Sequence, residues 1–344
     1  FLSAMVCLGR GVCRLSGVPR MHERPQASLF NALRELGYRI DSANGNLPAL
    51  IHGGGPRPGK CRVSNAASTQ FASALLLSAQ AGAWEVQVLD SGAEESPYVR
   101  LTTQLMRAFP TASGDFQIEP DCSSGSYFWA AGTLEEAEST LPAPRAFTIQ
   151  VAHWPDSGWQ VDQHFRLHWS RLEERSRNLA RELRTANENK LCAPATTPAV
   201  ISRLHDLGDS IMTAIVMAPL LGEPVTFTDL GRLRVQECER VVALRTELAK
   251  CGARVVEAGD TLTVYPSTLH GAEIETYQDH RMAMCFAILG LKVPGLRLQN
   301  PACVKKTFPN FFQKLAAPPP AGLGAGLLDA RTGRALRLEE LFAA

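Results

Sequence analysis

The chain has 344 residues and a mass of 37.4 kDa, a length that corresponds to about two domains. Hydrophobic residues make up 45% of it and charged residues 20%, which is enough apolar side chain to fill a core and excludes a disordered protein. The 35 lysines and arginines nearly balance the 34 aspartates and glutamates, so the net charge of +1 gives no electrostatic basis for binding nucleic acid or an anionic membrane surface.

The predicted elements alternate between helices and short strands along the chain, which favours an α/β fold. Apolar residues spaced three and four apart predict helices over residues 29–36, 69–80, 98–109, 124–134, 209–220, 235–251 and 279–289. Strict alternation predicts a strand over residues 84–88, and a turn at Gly259 predicts a hairpin that joins 255–257 to 262–264. Ser68 stands where an N-cap would begin the helix over 69–80.

Two segments interrupt this alternation. Residues 162–206 contain a strongly charged helix over 171–184 and little apolar periodicity, so we interpret them as a solvated insertion, with a binding arm as the alternative. After Leu315 the chain becomes rich in proline, glycine and alanine, a composition that predicts a linker and a short tail over residues 317–344.

The nine cysteines are scattered singly, without a C-x-x-C pair or an alternation with histidine. This pattern argues against a zinc site and favours free thiols in a reducing compartment, so we expect a cytoplasmic protein. No apolar run approaches the ~20 residues that a helix needs to span a bilayer, and we expect no membrane association.

Single arginines stand at the ends of predicted elements, beside carboxylates. Arg20 and Arg24 follow a predicted turn and are able to clamp a carboxylate or phosphate, with pairing to Glu23 as the alternative. Glu237 and Arg240 are three residues apart and share a predicted helix face, where an ordinary ion pair is the alternative to a substrate contact.

Hydroxyl groups and single charges also open predicted helices. Ser68 and Thr69 add two hydroxyls to the free N–H groups of a first helical turn, a favourable place for a phosphate oxyanion, although simple N-capping is more common. Asp209 and Arg281 each begin an apolar helix, and Lys306 stands just before a Phe-Pro turn. Each of these charges is either a structural cap or a ligand-binding group, and none is specific alone.

Taken in chain order, these segments resemble the 5-enolpyruvylshikimate-3-phosphate synthase family. The matching strings cover most of residues 1–316, namely Leu15–Pro25, Ser68–Phe71, Ser96–Tyr98, Asp121–Phe128, Gly208–Thr213, Arg234–Arg240, Asp279–Phe286 and Lys306–Pro309. The resemblance implies an inside-out α/β barrel of two similar domains, each built from βαβαββ units. Residues 1–118 would form part of an upper domain and residues 119–316 a lower domain.

The resemblance also implies a reaction, in which the enolpyruvyl group of phosphoenolpyruvate moves to the 5-hydroxyl of shikimate 3-phosphate and phosphate is released, without a metal or organic cofactor. Phosphoenolpyruvate would be bound by a set rich in cations, namely Arg20, Gln70, Arg240, Arg281 and Lys306. Shikimate 3-phosphate would be bound by mostly uncharged polar residues, namely Ser68, Thr69, Gln70, Ser96, Tyr98, Asp209 and Gln236. Asp209 would take the 5-hydroxyl proton, and Glu237 and Lys306 would move protons at the enol methylene carbon, with the acid left open between the two.

The chain departs from the family pattern at its beginning. The family's Gly-Ser-Lys-Ser segment and Gly-Asn-Ala-Gly loop precede the position that aligns with Phe1, so we expect an incomplete upper domain and little turnover by this chain alone. Gln236 stands where the family usually has lysine, and Arg232 where it has asparagine, a pair of exchanges that keeps the total charge.

Two alternatives stay open beside this interpretation. One is the sister enolpyruvyl transferase that acts on UDP-N-acetylglucosamine, and the other is a non-catalytic or split fragment that needs a separate amino-terminal piece. Under the main interpretation we expect a monomer whose partners are its two small anionic substrates.

Overall fold

The computed structural model describes residues 1–66, 68–89, 96–110, 113–136, 149–188 and 197–343. The chain divides into two compact units, Phe1–Ile118 with Ser157–Gln160, and Glu119–Asp156 with Val161–Ala344. Each unit encloses its own apolar core.

The described part of the first unit has five helices and five strands. They are α1 (Leu2–Cys7), β1 (Arg10–Leu15), α2 (Pro19–Glu23), α3 (Ala27–Glu35), β2 (Arg39–Ser42), β3 (Ala49–Gly54), β4 (Gly59–Val63), α4 (Thr69–Gly82), β5 (Trp84–Val88) and α5 (Pro97–Ala108). Strand β3 is the centre of an antiparallel sheet of order β1-β3-β2, and β4 pairs in parallel with β5. Leu29 and Leu33 of α3 and Phe71 and Leu75 of α4 are buried in the core of this unit.

The described part of the second unit has six helices and six strands. They are α6 (Cys122–Glu136), α7 (Phe165–Glu188), β6 (Ala199–Ser202), α8 (Ile211–Met217), β7 (Val225–Thr228), α9 (Arg240–Lys250), β8 (Val255–Ala258), β9 (Thr261–Val264), β10 (Glu273–Ile274), α10 (His280–Gly290), β11 (Arg297–Leu298) and α11 (Phe311–Ala316). Its main sheet has the order β6-β7-β9-β8, in which β6 is parallel and β9 antiparallel to β7.

Helices α8 and α10 lie inside this unit, and the main sheet has one face turned outward. Every residue of α8 is buried, and so is nearly every residue of α10. Helices that are apolar on all sides are typical of the centre of a core. The strands β6 and β7, in contrast, alternate between buried and more accessible residues, so one face of the sheet is turned away from the core. None of the helices in the described ranges combines the length and apolar character needed to cross a membrane.

Residues 162–206 differ from the predicted solvated insertion. Phe165, Trp169 and Leu172 of α7 are spaced by four and three residues and are buried in the core of the second unit, and β6 pairs with β7 in the main sheet. The charged residues on the other faces of α7 dominate its composition and obscure the short apolar stripe in the sequence. Residues 189–196 of this segment lie outside the described residues.

The tail beyond residue 316 differs from the predicted linker in the same way. Leu341 and Ala343 are buried against the second core, and the backbone N–H of Ala343 donates to the carbonyl of Pro309 at 2.9 Å. Proline and glycine predict that a segment forms no regular element, but they do not decide whether its apolar side chains pack.

Because one stripe of α7 is buried, we expect substitutions at Phe165 and Leu167 to have different effects on the free energy of unfolding. Phe165→Ala removes a fully buried ring and is expected to lower the free energy of unfolding by ~3–5 kcal/mol. Leu167→Ala, at a side chain on the same helix that is 49% exposed, is expected to change it by less than about 0.5 kcal/mol. Urea unfolding followed by circular dichroism measures both, and equal effects would contradict the packing of α7 described above.

Candidate active site

Three arginine side chains contact the carboxylate of Asp209, two residues before α8. Arg203 Nη2 donates to its Oδ1 at 2.6 Å, while Arg281 Nε lies 3.3 Å and Arg240 Nη1 3.6 Å from its Oδ2. Burial alone would raise the pKa of this carboxyl, but the charges of Arg281, Arg203 and Arg240 outweigh burial and hold the pKa well below its usual range. Asp209 is therefore an anion at neutral pH.

Arg240 is the first residue of α9, and its side chain is only 1% exposed. Its Nε and Nη2 donate to Asp279 Oδ2 and Oδ1 at 2.7 and 3.1 Å, a bidentate arrangement. Nη2 also lies 2.9 Å from Glu237 Oε2, and Nη1 donates to the side-chain oxygen of Gln236. Burial alone would lower the pKa of Arg240. The surrounding carboxylates, Asp279 first among them, outweigh burial and raise the pKa above its usual value, so the guanidinium stays charged.

Asp279 links α9 to α10. Besides holding Arg240, its Oδ1 accepts the backbone N–H of Arg281 at 2.9 Å and so forms the N-cap of α10. From this first turn the Arg281 side chain reaches Asp209, and its Nη1 donates to the hydroxyl of Tyr127 at 3.5 Å. A single buried carboxylate therefore sets the positions of two arginines.

Glu237 and Lys306 form the accessible end of this arrangement. Lys306, at the end of the 3₁₀ turn Pro301–Lys306, donates its Nζ to Glu237 Oε1, and the Lys306 side chain is 53% exposed. Burial would raise the pKa of Glu237, but Arg240 and Lys306 lower it to about 2. The helix predicted over residues 235–251 begins only at Arg240, so Glu237 lies before it, yet the predicted pairing of Glu237 with Arg240 is present.

These residues form one continuous set of ion pairs and hydrogen bonds, which we call the charge network. Its members are Arg203, Asp209, Glu237, Arg240, Asp279, Arg281 and Lys306. The network brings together the sequence-predicted residues of the second unit, namely Asp209, Gln236, Glu237, Arg240, Arg281 and Lys306.

The sequence-predicted residues of the first unit lie at the starts of α4 and α5. The Oγ of Ser68 accepts the backbone N–H of Gln70 at 3.2 Å, which makes Ser68 the N-cap of α4. Ser73 Oγ and Thr102 Oγ1 are 2.7 Å apart, and each stands one turn after a predicted ligand, Thr69 or Tyr98. This contact brings the first turns of the two helices together.

Two further residues of the first unit were singled out from the sequence. Ser96 precedes α5, and its buried Oγ has no hydrogen-bond partner within the part of the chain that the structure describes. Arg20 lies on α2 and forms an ion pair with Glu23 at 2.8 Å, the alternative that the sequence left open.

Three residues that contact the predicted site residues, Arg203, Asp279 and Tyr127, have no role among the expectations drawn from the sequence. Asp279 carried a usable signal, because an aspartate directly before an apolar helix is a predicted N-cap, but its pairing with Arg240 depends on the packing of α9 against α10. Arg203 lies in the segment predicted to be an insertion, and Tyr127 lies in one of the matching strings but has no individual role there.

The described residues contain no group of three or more histidine, cysteine, aspartate or glutamate side chains arranged to hold a metal ion. The cysteines among them are free thiols, and burial raises the pKa of several, including Cys238 beside Asp279.

The lowered pKa of Glu237 predicts a pH-dependent part of the stability. A glutamate in the unfolded chain titrates near 4.5 and Glu237 in the folded chain near 2, so its contacts stabilise the fold above about pH 5 and are lost as the pH falls toward 2. Glu237→Gln is therefore expected to lower the free energy of unfolding at pH 6 and to flatten its decline between pH 5 and pH 3. Glu275→Gln, at an exposed carboxylate of the same unit, is the control. Urea unfolding at a series of pH values measures both, and an unchanged slope in the Glu237 variant would contradict the pairing.

The chain matches a family of known proteins. The model of the EPSP synthase (3-phosphoshikimate 1-carboxyvinyltransferase) family matches residues 1–112 and 110–315. Proteins named 3-phosphoshikimate 1-carboxyvinyltransferase from Nostoc punctiforme and Vibrio atlanticus are 30% identical over 336 residues and 33% identical over 337 residues. Each of these matches covers 91% of this chain and 75% of the relative.

Solved structures show the same fold. The EPSP synthase of Acinetobacter baumannii has a TM-score of 0.55 at 17% identity, over 92% of this chain and 75% of that one. The enolpyruvyl transferase NikO of Streptomyces tendae has a TM-score of 0.51 at 16% identity, over 89% of this chain and 72% of that one. These likenesses confirm the predicted inside-out α/β fold. The family match establishes that the chain belongs to the EPSP synthase family.

Proposed function

We propose that this chain is a 3-phosphoshikimate 1-carboxyvinyltransferase, which transfers the enolpyruvyl group of phosphoenolpyruvate to the 5-hydroxyl of shikimate 3-phosphate and releases phosphate. The observation that carries the proposal is the charge network, in a chain of this family. Such a transfer needs a base for the hydroxyl, cations for two anionic substrates, and a group that moves a proton to and from the enol methylene carbon. Asp209, the arginines, and the Glu237–Lys306 pair supply these functions.

The cations of the network would bind phosphoenolpyruvate. Arg240 and Arg281 present guanidinium groups suited to the oxygens of a carboxylate or phosphate, and Lys306 is the most accessible cation of the three. Because Arg240 and Arg281 are largely buried, their attraction for an anion is stronger than it would be in water. Arg20 and Gln70 are proposed ligands of phosphoenolpyruvate through their match to the family alone.

Asp209 would take the 5-hydroxyl proton. In the arrangement described here its low pKa makes it a weak base, since two arginines face its Oδ2. An anion bound to Arg240 and Arg281 offsets their charge at Asp209 and raises the pKa of its carboxyl. Its ability to accept a proton therefore increases when the substrate is in place, which suits a general base that acts only in the loaded site.

Lys306 and Glu237 would handle the proton at the methylene carbon. Glu237 is an anion at neutral pH, so we assign the donated proton to the Lys306 ammonium. In the addition step the 5-oxygen bonds to C2 of phosphoenolpyruvate while C3 gains that proton. In the elimination step C3 loses a proton to a neighbouring base, a role that we propose for Glu237, and the bond from C2 to the phosphate oxygen breaks.

The polar residues of the first unit would bind shikimate 3-phosphate. The starts of α4 and α5 add backbone N–H groups to the side chains there, a favourable environment for phosphate. In the first unit this set consists of Ser68, Thr69, Gln70, Ser96 and Tyr98. We further propose a monomer, and a location in the cytoplasm, for which the free thiols of the described residues are the support.

The choice of acceptor tests the proposed function. Because little turnover is expected of this chain alone, we expect it to convert phosphoenolpyruvate and shikimate 3-phosphate slowly into the enolpyruvyl product and inorganic phosphate in equal amounts. We expect neither product when UDP-N-acetylglucosamine replaces shikimate 3-phosphate. ³¹P NMR at high protein concentration detects even slow conversion. Conversion of the UDP-sugar would overturn the proposal, and binding of both substrates without product would favour the non-catalytic fragment.

The roles of Glu237 and Lys306 predict a separation of turnover from binding. Glu237→Gln and Lys306→Met are each expected to reduce turnover on the order of 100-fold, because general acid–base groups contribute factors of this size. The Kd for shikimate 3-phosphate should change little, as isothermal titration calorimetry would measure. Glu275→Gln and Lys314→Met, at exposed positions of the same unit, are matched controls. Near-normal turnover in either site variant would show that its assigned role is wrong.

A further inference from the structure

We propose that Arg203 is a positioning residue that fixes the orientation of the Asp209 carboxylate, an inference that rests on the function proposed above. Its Nη2 donates to Asp209 Oδ1 at 2.6 Å, the shortest of the three arginine contacts of this carboxylate. Arg281 and Arg240 both face the other oxygen, Oδ2. The two oxygens of Asp209 thus have different partners.

Arg203 directly follows β6, an edge strand of the main sheet. Its backbone N–H donates to the carbonyl of Thr228 at 3.1 Å, so Arg203 continues the pairing of β6 with β7 by one residue. The turn that follows is closed by the N–H of Asp206, which donates to the carbonyl of Ser202 at 3.0 Å. The Arg203 side chain is 7% exposed. A guanidinium that is buried and attached to a paired strand has little freedom to move away from Asp209.

Arg203 differs from the two arginines assigned to the substrate in the element that carries it and in the oxygen of Asp209 that it contacts. Arg240 belongs to α9 and Arg281 to α10, whereas Arg203 follows β6 and donates to Oδ1, the oxygen that the other two arginines do not face. When an anion engages Arg240 and Arg281, the bond from Arg203 to Oδ1 can remain. It would then hold the carboxylate plane so that Oδ2 accepts the proton of the 5-hydroxyl while the 5-oxygen bonds to C2 of phosphoenolpyruvate.

Other charged groups act on Asp209 and must be kept constant in a test. Arg240 and Arg281 face Oδ2, and Asp162, which precedes α7, accepts the backbone N–H of Ser210 at 2.8 Å. Because these groups come from other elements, a change at Arg203 alone leaves them in place.

Two substitutions at Arg203 test the inference. Arg203→Gln is expected to lower kcat on the order of 100-fold through misorientation of the base, with a much smaller change in the KM for phosphoenolpyruvate. The acid limb of the pH profile should move to higher pH, because loss of a neighbouring cation raises the pKa of Asp209. Arg203→Lys keeps the charge and should restore the acid limb and part of kcat.

The control is Arg175→Gln, which removes an arginine that makes two hydrogen bonds to the buried Glu223 in the same unit. It should lower stability without moving the pH profile. The inference is overturned if Arg203→Gln keeps normal kcat, or if its acid limb matches that of the control.

A titration by carbon NMR makes the test independent of turnover. In protein labelled at the aspartate carboxyl carbon, the Asp209 signal is identified by its loss in Asp209→Asn. Its midpoint should rise in Arg203→Gln and stay low in Arg203→Lys. Absence of turnover in the parent chain would count against the proposed function, while an unchanged Asp209 midpoint in Arg203→Gln would overturn the role of Arg203.

Discussion

The buried pair of Arg240 and Asp279 is the interaction on which the rest of the second unit's site depends. Both side chains are almost entirely removed from water, a state that is costly for either charge alone and tolerable only with a well-aligned partner. The pair joins the first residue of α9 to the residue that caps α10. Because Arg281 and Glu237 are each within three residues of one member of the pair, their directions are set at the same time.

The charge network alternates cations and carboxylates, and this alternation has a chemical use. Arg240, Arg281 and Lys306 are each already paired with a carboxylate of the network. A substrate anion must therefore compete with these carboxylates for the three cations. Such competition makes binding selective for ligands that present several oxygens at once, because one oxygen alone does not replace a carboxylate partner. The same competition ties the basicity of Asp209 to the occupancy of the site.

Local patterns in the sequence predicted local structure well. The strand over residues 84–88 and the hairpin of β8 and β9 are confirmed, because alternation and turn residues act over a few positions. Contacts between segments that are distant along the chain were harder to predict from the sequence. The apolar stripe of α7 was outweighed by its charges, and the bond from Arg203 to Asp209 requires β6 to pair with β7, which no spacing of residues reveals. The residues of the matching motifs could be picked out from the sequence. Arg203 and Asp279, whose side chains contact Asp209 and Arg240, could not be assigned from it.

The folded-back tail has a consequence for the lysine of the site. Pro309 follows Lys306 by three residues, and its carbonyl accepts the N–H of Ala343, while Gln313 of α11 donates to the carbonyl of Leu338 at 2.8 Å. The last described turn of the chain therefore supports the loop that carries Lys306. A change that displaces residues 338–343 would therefore disturb the loop that carries Lys306, although none of their side chains belongs to the charge network.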